Sequence, residues 1–464
     1  MNAEPTVIRD VVVVIPGIMG SALVDAEKRP VWSLGAGSLV NAIRTLGRSV
    51  RSLELPEGVG DDHPGDGIEA VGLMPGLHVI PGLWSPVAGY AGLLNFLRGR
   101  RFHLIEADRP GRIPNLITFP YDWRLSNRYN ARLLARVAGD ALARWREQPG
   151  MADAKLVIVA HSMGGLVARW FLEHEQGAAL TRSLITIGTP HRGSVKSLDT
   201  LANGIQPGVG PLRLRLTPMA RSMPSMYQLL PTYACIRAAD GGRVALGPGA
   251  TAGLAGEMLA DAAAFHAKLD TVTPETYVLH KVVGIRQPTL TTARLTGDRL
   301  VAALDIDGQL QAGDGTVPRL AAEPEPGRGT EVHEVAEQHG ELQNSRSALD
   351  LLDGIVTRED IIWQGADPEA FGVAMPEVWA PGVPPELTVP DLGDRRLLVS
   401  VLDEQGRPVG PPHKVRPDGR AVLDPLPEGG YKAVVSSPVA GGPPAVTRSF
   451  LVWDPDPALV EPPR

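Results

Sequence analysis

Apolar residues in this chain gather in short unbroken runs that end near Gly or Pro: Val11–Ile15, Leu116–Phe119, Leu156–Ala160, Leu184–Ile187 and Tyr277–Val283. A run without alternation marks a strand covered on both faces, as parallel strands are. Between some of these runs the period changes to that of a helix, over Asn130–Arg146 and Gly165–Glu175. Strands alternating with helices predict an α/β fold with a mostly parallel sheet and helices on both faces. The intervals Pro30–Arg101 and Pro190–Pro274 are long and poor in strand signals. They read as cap or lid insertions over the catalytic edge of the sheet.

The pattern shifts after Gln364. Residues 366–386 are rich in Pro, Ala and Gly and read as a linker. Beyond them come short β runs, Arg396–Leu402, Arg420–Leu423, Tyr431–Ser436 and Thr447–Trp453, separated by turn clusters such as EQGRPVG and PEGG. That spacing predicts a small all-β sandwich. The expected organisation is therefore 1–365 for the α/β unit, 366–386 for the linker and 387–464 for the sandwich.

Composition narrows the function classes. The 464 residues are 43% hydrophobic and 21% charged, which is ordinary for a globular protein. A net charge of -7 gives no reason to expect a nucleic-acid partner. The single cysteine, Cys235, rules out an internal disulfide and suits a reducing compartment, although so few cysteines also suit many secreted proteins. The N-terminal residues lack a basic segment followed by an apolar one and a cleavage site, and no apolar stretch reaches bilayer length. The expectation is a cytoplasmic protein.

The chemistry is concentrated in KLVIVAHSMGGLVARWFLE, Lys155–Glu173. A nucleophile elbow has the pattern G-x-S-x-G on a sharp strand-to-helix turn. Ala160 stands at the first glycine position, and its methyl group is small enough for the turn; Gly164 and Gly165 leave space on the far side. Ser162 is thus a candidate nucleophile, with free N–H groups and a positive dipole end at the following helix start. A serine needs a base held by an acid, and in this kind of hydrolase the chain order is Ser, Asp or Glu, then His. Asp314 in GDGTVP and His339 in EQHGELQ supply that order. His333, in the alternating stretch EVHEV, reads as a structural histidine on a strand. The run DIDGQLQAGDGT is not a calcium loop, because Thr316 stands where the bidentate Glu is required. The two oxyanion donors are expected from the backbone N–H of Met163, after the nucleophile, and of Ile18, in the IPGIMGS turn after the first strand.

The motifs VIPGIMGS, FPYDWRLSN, AHSMGG, ITIGTPHRGS, RSMPSMYQLLP, GDGTVP and QHG, running from about Val11 to about Gly340, resemble the lecithin:cholesterol acyltransferase family of α/β-hydrolases. That family also includes lysosomal phospholipase A2 and phospholipid:diacylglycerol acyltransferases. The resemblance implies an α/β-hydrolase fold with Ser162, Asp314 and His339 as the triad and Ile18 and Met163 as oxyanion donors. It further implies a lipid or other apolar ester as substrate and an acyl-enzyme that is passed to water or to an alcohol. The chain departs from animal members in lacking any disulfide, and the apolar PGIMG turn stands where some relatives have a polar or cysteine side chain.

Three tryptophans, Trp32, Trp84 and Trp123, are candidates for the lid or the acyl pocket, with Trp84 in PGLWSPV a candidate for exposed membrane contact. The basic amphipathic stretch LVNAIRTLGRSVRSL, residues 39–53, reads either as a lid touching a lipid surface or as a solvated cap helix. Asp122 and Arg124 in YDWR read as a bracing pair. No motif argues for a metal or an organic cofactor. The sandwich is left open as a site for a protein partner, for carbohydrate, or for nothing beyond its own α/β unit. Two alternatives to hydrolysis stand beside the main reading: acyl transfer to an alcohol, and a catalytically silent scaffold serving as an interaction protein.

Overall fold

The computed structural model describes residues 7–33, 52–99, 101–102, 104–106, 111–205, 216–238, 240–247, 254–270, 276–296, 299–324, 331–359 and 367–455. Its centre is a six-stranded sheet built from β1 (Val11–Ile15), β2 (Leu116–Thr118), β3 (Leu156–His161), β4 (Thr181–Ile187), β5 (Val278–Gly284) and β6 (Glu331–Val335). The order is β6-β5-β4-β3-β1-β2, and every pairing is parallel. β1 and β3 are buried at every residue, which is why their sequences show no alternation. β6 lies at the sheet edge, and in its sequence EVHEV the buried His333 and Val335 alternate with the half-buried Val332 and Glu334.

Helices close both faces. On one side α2 (Asn127–Arg146) and α3 (Gly164–His174) pack together over β1 and β3. Leu134, Ala138, Leu142, Leu166 and Val167 join Val11, Val13 and Ile158 in that core. On the other side α1 (Ala91–Leu97) and α6 (Arg346–Thr357) share a core with Val12, Val14, Ile185 and Val282. α2 starts where the Ser126 side chain accepts the Arg128 N–H, a cap that satisfies one of the free donors of the first turn.

The two insertions are built differently. The first supplies Pro30–Trp32 and Glu69–Leu73, which flank Ser21–Val24 in an antiparallel three-stranded sheet. The second includes α4 (Val195–Asn203) and α5 (Gly256–Leu269). The segment around Pro86 lies against the loop that follows β6: the Ala88 N–H donates to the Gly340 carbonyl at 2.9 Å. A Cβ on Gly340 would come within 1.9 Å of the Pro86 carbonyl, so only glycine fits there.

The C-terminal strands form two further sheets. β7 (Val378–Trp379), β9 (Leu398–Asp403), β10 (His413–Lys414), β12 (Gly429–Ser436) and β13 (Val446–Val452) make a sheet in the order β7-β13-β12-β9-β10. β8 (Glu386–Thr388) pairs with β11 (Arg420–Val422). Their inward side chains, Leu387, Val399, Val401, Ala421, Ala433, Val435 and Phe450, form one core. The stretch expected as a linker is part of it. Phe371, Val373 and Met375 are buried in the same core, and β7 pairs with β13. Pro, Ala and Gly content signals the absence of regular structure; it does not measure burial. Among the described residues, no helix is long and apolar enough to cross a membrane.

Candidate active site

β3 ends at His161, and α3 begins at Gly164, so Ser162 sits on the turn between them. Its φ is 52°, a left-handed backbone that costs a non-glycine residue roughly 1–2 kcal/mol. The Ser162 N–H donating to the Ile187 carbonyl at 2.8 Å and the Gly165 N–H donating to the Ser162 carbonyl at 3.0 Å hold it there. The small neighbours are required by close packing. A Cβ on Gly164 would come within 2.3 Å of the Pro16 carbonyl, and one on Gly165 within 2.0 Å of Thr189 Oγ1.

The structure brings three of the expected residues together. His339 Nε2 lies 2.8 Å from Ser162 Oγ, and His339 Nδ1 lies 2.7 Å from Asp314 Oδ2. The other Asp314 oxygen accepts the N–H groups of Thr316 at 2.9 Å and Val317 at 2.6 Å, so its D-G-T-V turn fixes the carboxylate. The His339 N–H donates to the Asp314 carbonyl at 2.8 Å, which ties the two loops together. Each of the three residues is 1% exposed. His333 is buried on β6, outside this set of contacts.

The turn Gly17–Ile18–Met19 lies against the serine: a Cβ on Gly17 would come within 2.8 Å of Ser162 Cβ. Met163 opens α3, and Ile18 is buried at 1% exposure. Gly17, next to Ile18, and Met163 thus border Ser162 from two elements.

Two residues escaped the sequence reading. The Gly17 N–H donates to Tyr90 Oη at 2.7 Å, and Tyr90 Oη lies 2.9 Å from His161 Nδ1. His161 Nε2 lies 3.0 Å from the His339 carbonyl. Burial, together with the neighbouring His339, pushes the His161 pKa down to about 3, so the ring is neutral. A neutral ring that donates from Nε2 accepts the tyrosine proton at Nδ1. The relay links the turn beside the serine to the backbone of His339. Nothing local in AHSMGG signals it, because Tyr90 comes from the first insertion.

One of the three tryptophans is placed differently from expectation. Trp84 is fully buried, not exposed for membrane contact; its ring stands edge-on to His339 with centroids 6.1 Å apart. PGLWSPV reads as an exposed loop, but the contact with Gly340 pins it inside. Trp32 and Trp123 are also buried, packed edge to face at 6.2 Å. Trp32 donates to the Met19 carbonyl at 2.8 Å and Trp123 to the Ser21 carbonyl at 3.2 Å, so both brace the IMGS turn. Asp122 and Arg124 do pair, at 2.6 Å, with Asp66 2.9 Å away as a second partner. Most of the amphipathic stretch 39–53 lies outside the described residues.

The C-terminal sheets dock on the loop that carries His339. The Thr447 N–H donates to Glu337 at 2.9 Å, Arg448 donates to Gln338, and Ser449 and Lys432 donate to Glu341 at 2.6 and 3.1 Å. Glu377 accepts from Lys196 at 2.6 Å and from Ser85 at 2.8 Å, and Ser85 Oγ lies 2.5 Å from Thr316 Oγ1. The residues flanking both His339 and Asp314 are thus held from the C-terminal side. The apolar cavity of about 320 Å³ between Tyr227, Leu230, Leu259 and His266 is lined by none of the three residues at Ser162.

Burial raises the Glu337 pKa to about 8, against 4.5 when unfolded, so the folded chain holds this proton near neutrality. Its contribution to stability is full below pH 4.5, falls as pH rises, and is lost above about 8. Glu337→Gln keeps the acceptor for the Thr447 and Gln338 N–H groups without a charge to bury. It is expected to raise the thermal midpoint by a few degrees at pH 9 and to leave it unchanged at pH 5, measured by scanning calorimetry. Equal midpoints at both pH values would contradict a buried, proton-holding Glu337.

With this geometry established, comparison with known proteins adds the following. The family model for lecithin:cholesterol acyltransferase matches residues 111–247, which include Ser162 and Met163 but not Ile18, Asp314 or His339. Nothing among curated proteins matches the chain. A solved structure of the Tle4-Tli4 complex is similar at 16% identity and a TM-score of 0.49, over 76% of this chain and 99% of that one. A Bacillus licheniformis lipase, BlEst2 in its propeptide form, is similar at 12% identity and a TM-score of 0.39, over 96% and 93% of the two chains. Phospholipase PlaB from Legionella pneumophila follows at 10% identity and a TM-score of 0.26, over 97% and 91%. These scores are too low to carry an argument by themselves. The six-stranded parallel sheet with helices on both faces is the arrangement of an α/β-hydrolase fold, and within it residues 111–247 are similar to the lecithin:cholesterol acyltransferase family.

Proposed function

We propose that this protein is a serine acyl hydrolase acting on lipid or other apolar esters. The observation that carries the reading is the strained Ser162 with its Oγ 2.8 Å from His339 Nε2, whose Nδ1 is 2.7 Å from Asp314. In this reading His339 removes the Ser162 proton as Oγ attacks the ester carbonyl, and Asp314 holds the imidazole in the tautomer with Nδ1 protonated. The Ile18 and Met163 N–H groups receive the developing oxyanion, each being worth about 3–4 kcal/mol in the transition state. His339 then protonates the leaving alcohol. Water, deprotonated by the same histidine, attacks the acyl-enzyme and releases the acid. No metal or cofactor takes part in these steps.

The buried site supports an apolar substrate, since three residues each 1% exposed open only when the cap moves. Transient contact with a lipid surface is the proposed trigger. The division of the chain near residue 365 and a cytoplasmic location, consistent with the single buried Cys235, belong to the same proposal.

Transfer to an alcohol is the second reading, favoured by the same burial, because a site that excludes water lets another acceptor compete. Incubation with p-nitrophenyl esters and phospholipid vesicles, with and without a long-chain alcohol, separates the two. Free acid as the sole product supports the hydrolase, and a new ester that rises with alcohol supports the transferase. Neither product in the presence of lipid would leave the silent scaffold standing.

A further inference from the structure

Away from Ser162, two buried histidines and a glutamate meet on one face of the sheet edge. His280 on β5 pairs in register with Glu331 on β6, and Val282 pairs with His333, so all three side chains project to the same face. His280 Nδ1 lies 2.9 Å from Glu331 Oε2, and His333 Nε2 lies 3.6 Å from the same oxygen. The two rings are 5.9 Å apart at 27°. One potential ligand atom from each residue falls within a group spanning no more than 4.8 Å. His280 and His333 are 6% and 4% exposed, whereas the Glu331 side chain is 58% exposed and opens the group to solvent.

We infer that His280, Glu331 and His333 form a binding site for a divalent transition-metal ion, Zn²⁺ being the best match. Two imidazoles and one carboxylate are a donor set this ion takes, with water completing a tetrahedron. Ligand atoms about 2.0–2.1 Å from Zn²⁺ stand about 3.3 Å apart around it. The 2.9 and 3.6 Å separations bracket that spacing, and the widest pair closes by side-chain rotation. His280 Nδ1 is buried, and the Glu331 carboxylate at 2.9 Å is the group that faces it. The nearby Arg182 does not block a cation, since its guanidinium is committed to Asp10 at 2.7 Å and to the Ile355 carbonyl at 3.0 Å.

The position gives the ion a role. β6 is the edge strand, paired to β5 on one side only, and it leads directly to the loop carrying His339. A metal joining β5 to β6 cross-links the strand that delivers the histidine. No local motif announces the site, because Glu331 and His333 are close in sequence but His280 comes from another strand.

The test uses the full chain carrying Ser162→Ala and a chelator wash, so that its outcome is independent of the proposed reaction. Titration with Zn²⁺, followed by calorimetry and by a competing chromophoric chelator, is expected to show one site of micromolar or tighter affinity. Zn²⁺ is expected to raise the thermal midpoint as well. Glu331→Gln, at an exposed side chain that the fold does not need, is expected to weaken this site at least tenfold. His280→Gln with His333→Gln is expected to abolish it. Co²⁺ in place of Zn²⁺ is expected to give the visible absorption of a tetrahedral complex with nitrogen and oxygen ligands. Equal uptake by the parent and Glu331→Gln proteins would place the ion elsewhere and overturn the assignment. No uptake by the parent protein would leave a simple His280–Glu331 ion pair and also overturn it.

Discussion

Replacing Ser162 by Ala is expected to lower kcat/KM for ester hydrolysis by about 10⁴–10⁶-fold while leaving the fold intact. The side chain is small and already enclosed, so the loss of one oxygen opens little space, and alanine lacks the nucleophile altogether. His339→Ala is expected to cost as much. The double variant is expected to be no worse than either single one, because nucleophile and base act as one unit and their losses do not add. Asp314→Asn is expected to fall by about 10⁴-fold, since an amide at this position favours the wrong histidine tautomer. Initial rates on a soluble p-nitrophenyl ester, at enzyme concentrations matched by circular dichroism, check all four. Additive losses in the double variant would separate the two residues and contradict a shared proton transfer.

The second large effect is expected far along the chain, at Arg448. Its guanidinium donates to Gln338 and, at 2.6 Å, to the Met375 carbonyl. Gln338 also donates to Gln287 at 2.7 Å, and it immediately precedes His339. Arg448→Ala leaves two buried acceptors without their donor, at about 1–3 kcal/mol each, and frees the loop that fixes the imidazole. A displacement of about 1 Å at a reacting group costs on the order of 10²-fold in rate. The expected result is a kcat lowered about 10- to 100-fold with KM within about threefold, alongside a lower thermal midpoint. Arg448→Lys keeps one donor and is expected to recover part of the rate. Rates per folded molecule that match the parent, despite a lower midpoint, would reduce the C-terminal sheets to a stabiliser.

These two expectations differ in how the sequence announces them. The central strands were legible because burial on both faces leaves unbroken apolar runs, and the observed ends differ from the expected ones by at most three residues. The Ser162 turn was legible because a strained serine beside a helix start demands small neighbours. Asp314 and His339 followed from chain order and from the glycine turns around them. The docking of Thr447, Arg448 and Ser449 on Glu337, Gln338 and Glu341 was not legible, because polar residues on alternating strands look the same whether they face water or a neighbouring loop. Trp84 misled for a related reason: its flanking prolines and glycine suggest a surface turn, and only the contact between Pro86 and Gly340 buries it. Tyr90 and His161 join through space across residues far apart in sequence. Hydrophobic period reports which face is covered, but never what covers it.

The central claim is an activated serine at position 162, and covalent labelling with a fluorophosphonate probe tests it most directly. Intact-mass analysis and peptide mapping would follow the full chain with and without lipid vesicles. The account predicts one probe per chain, attached at Ser162, formed faster when lipid is present and lost in both Ser162→Ala and His339→Ala. A folded protein left unlabelled even with lipid, or labelled at full rate in His339→Ala, would contradict it.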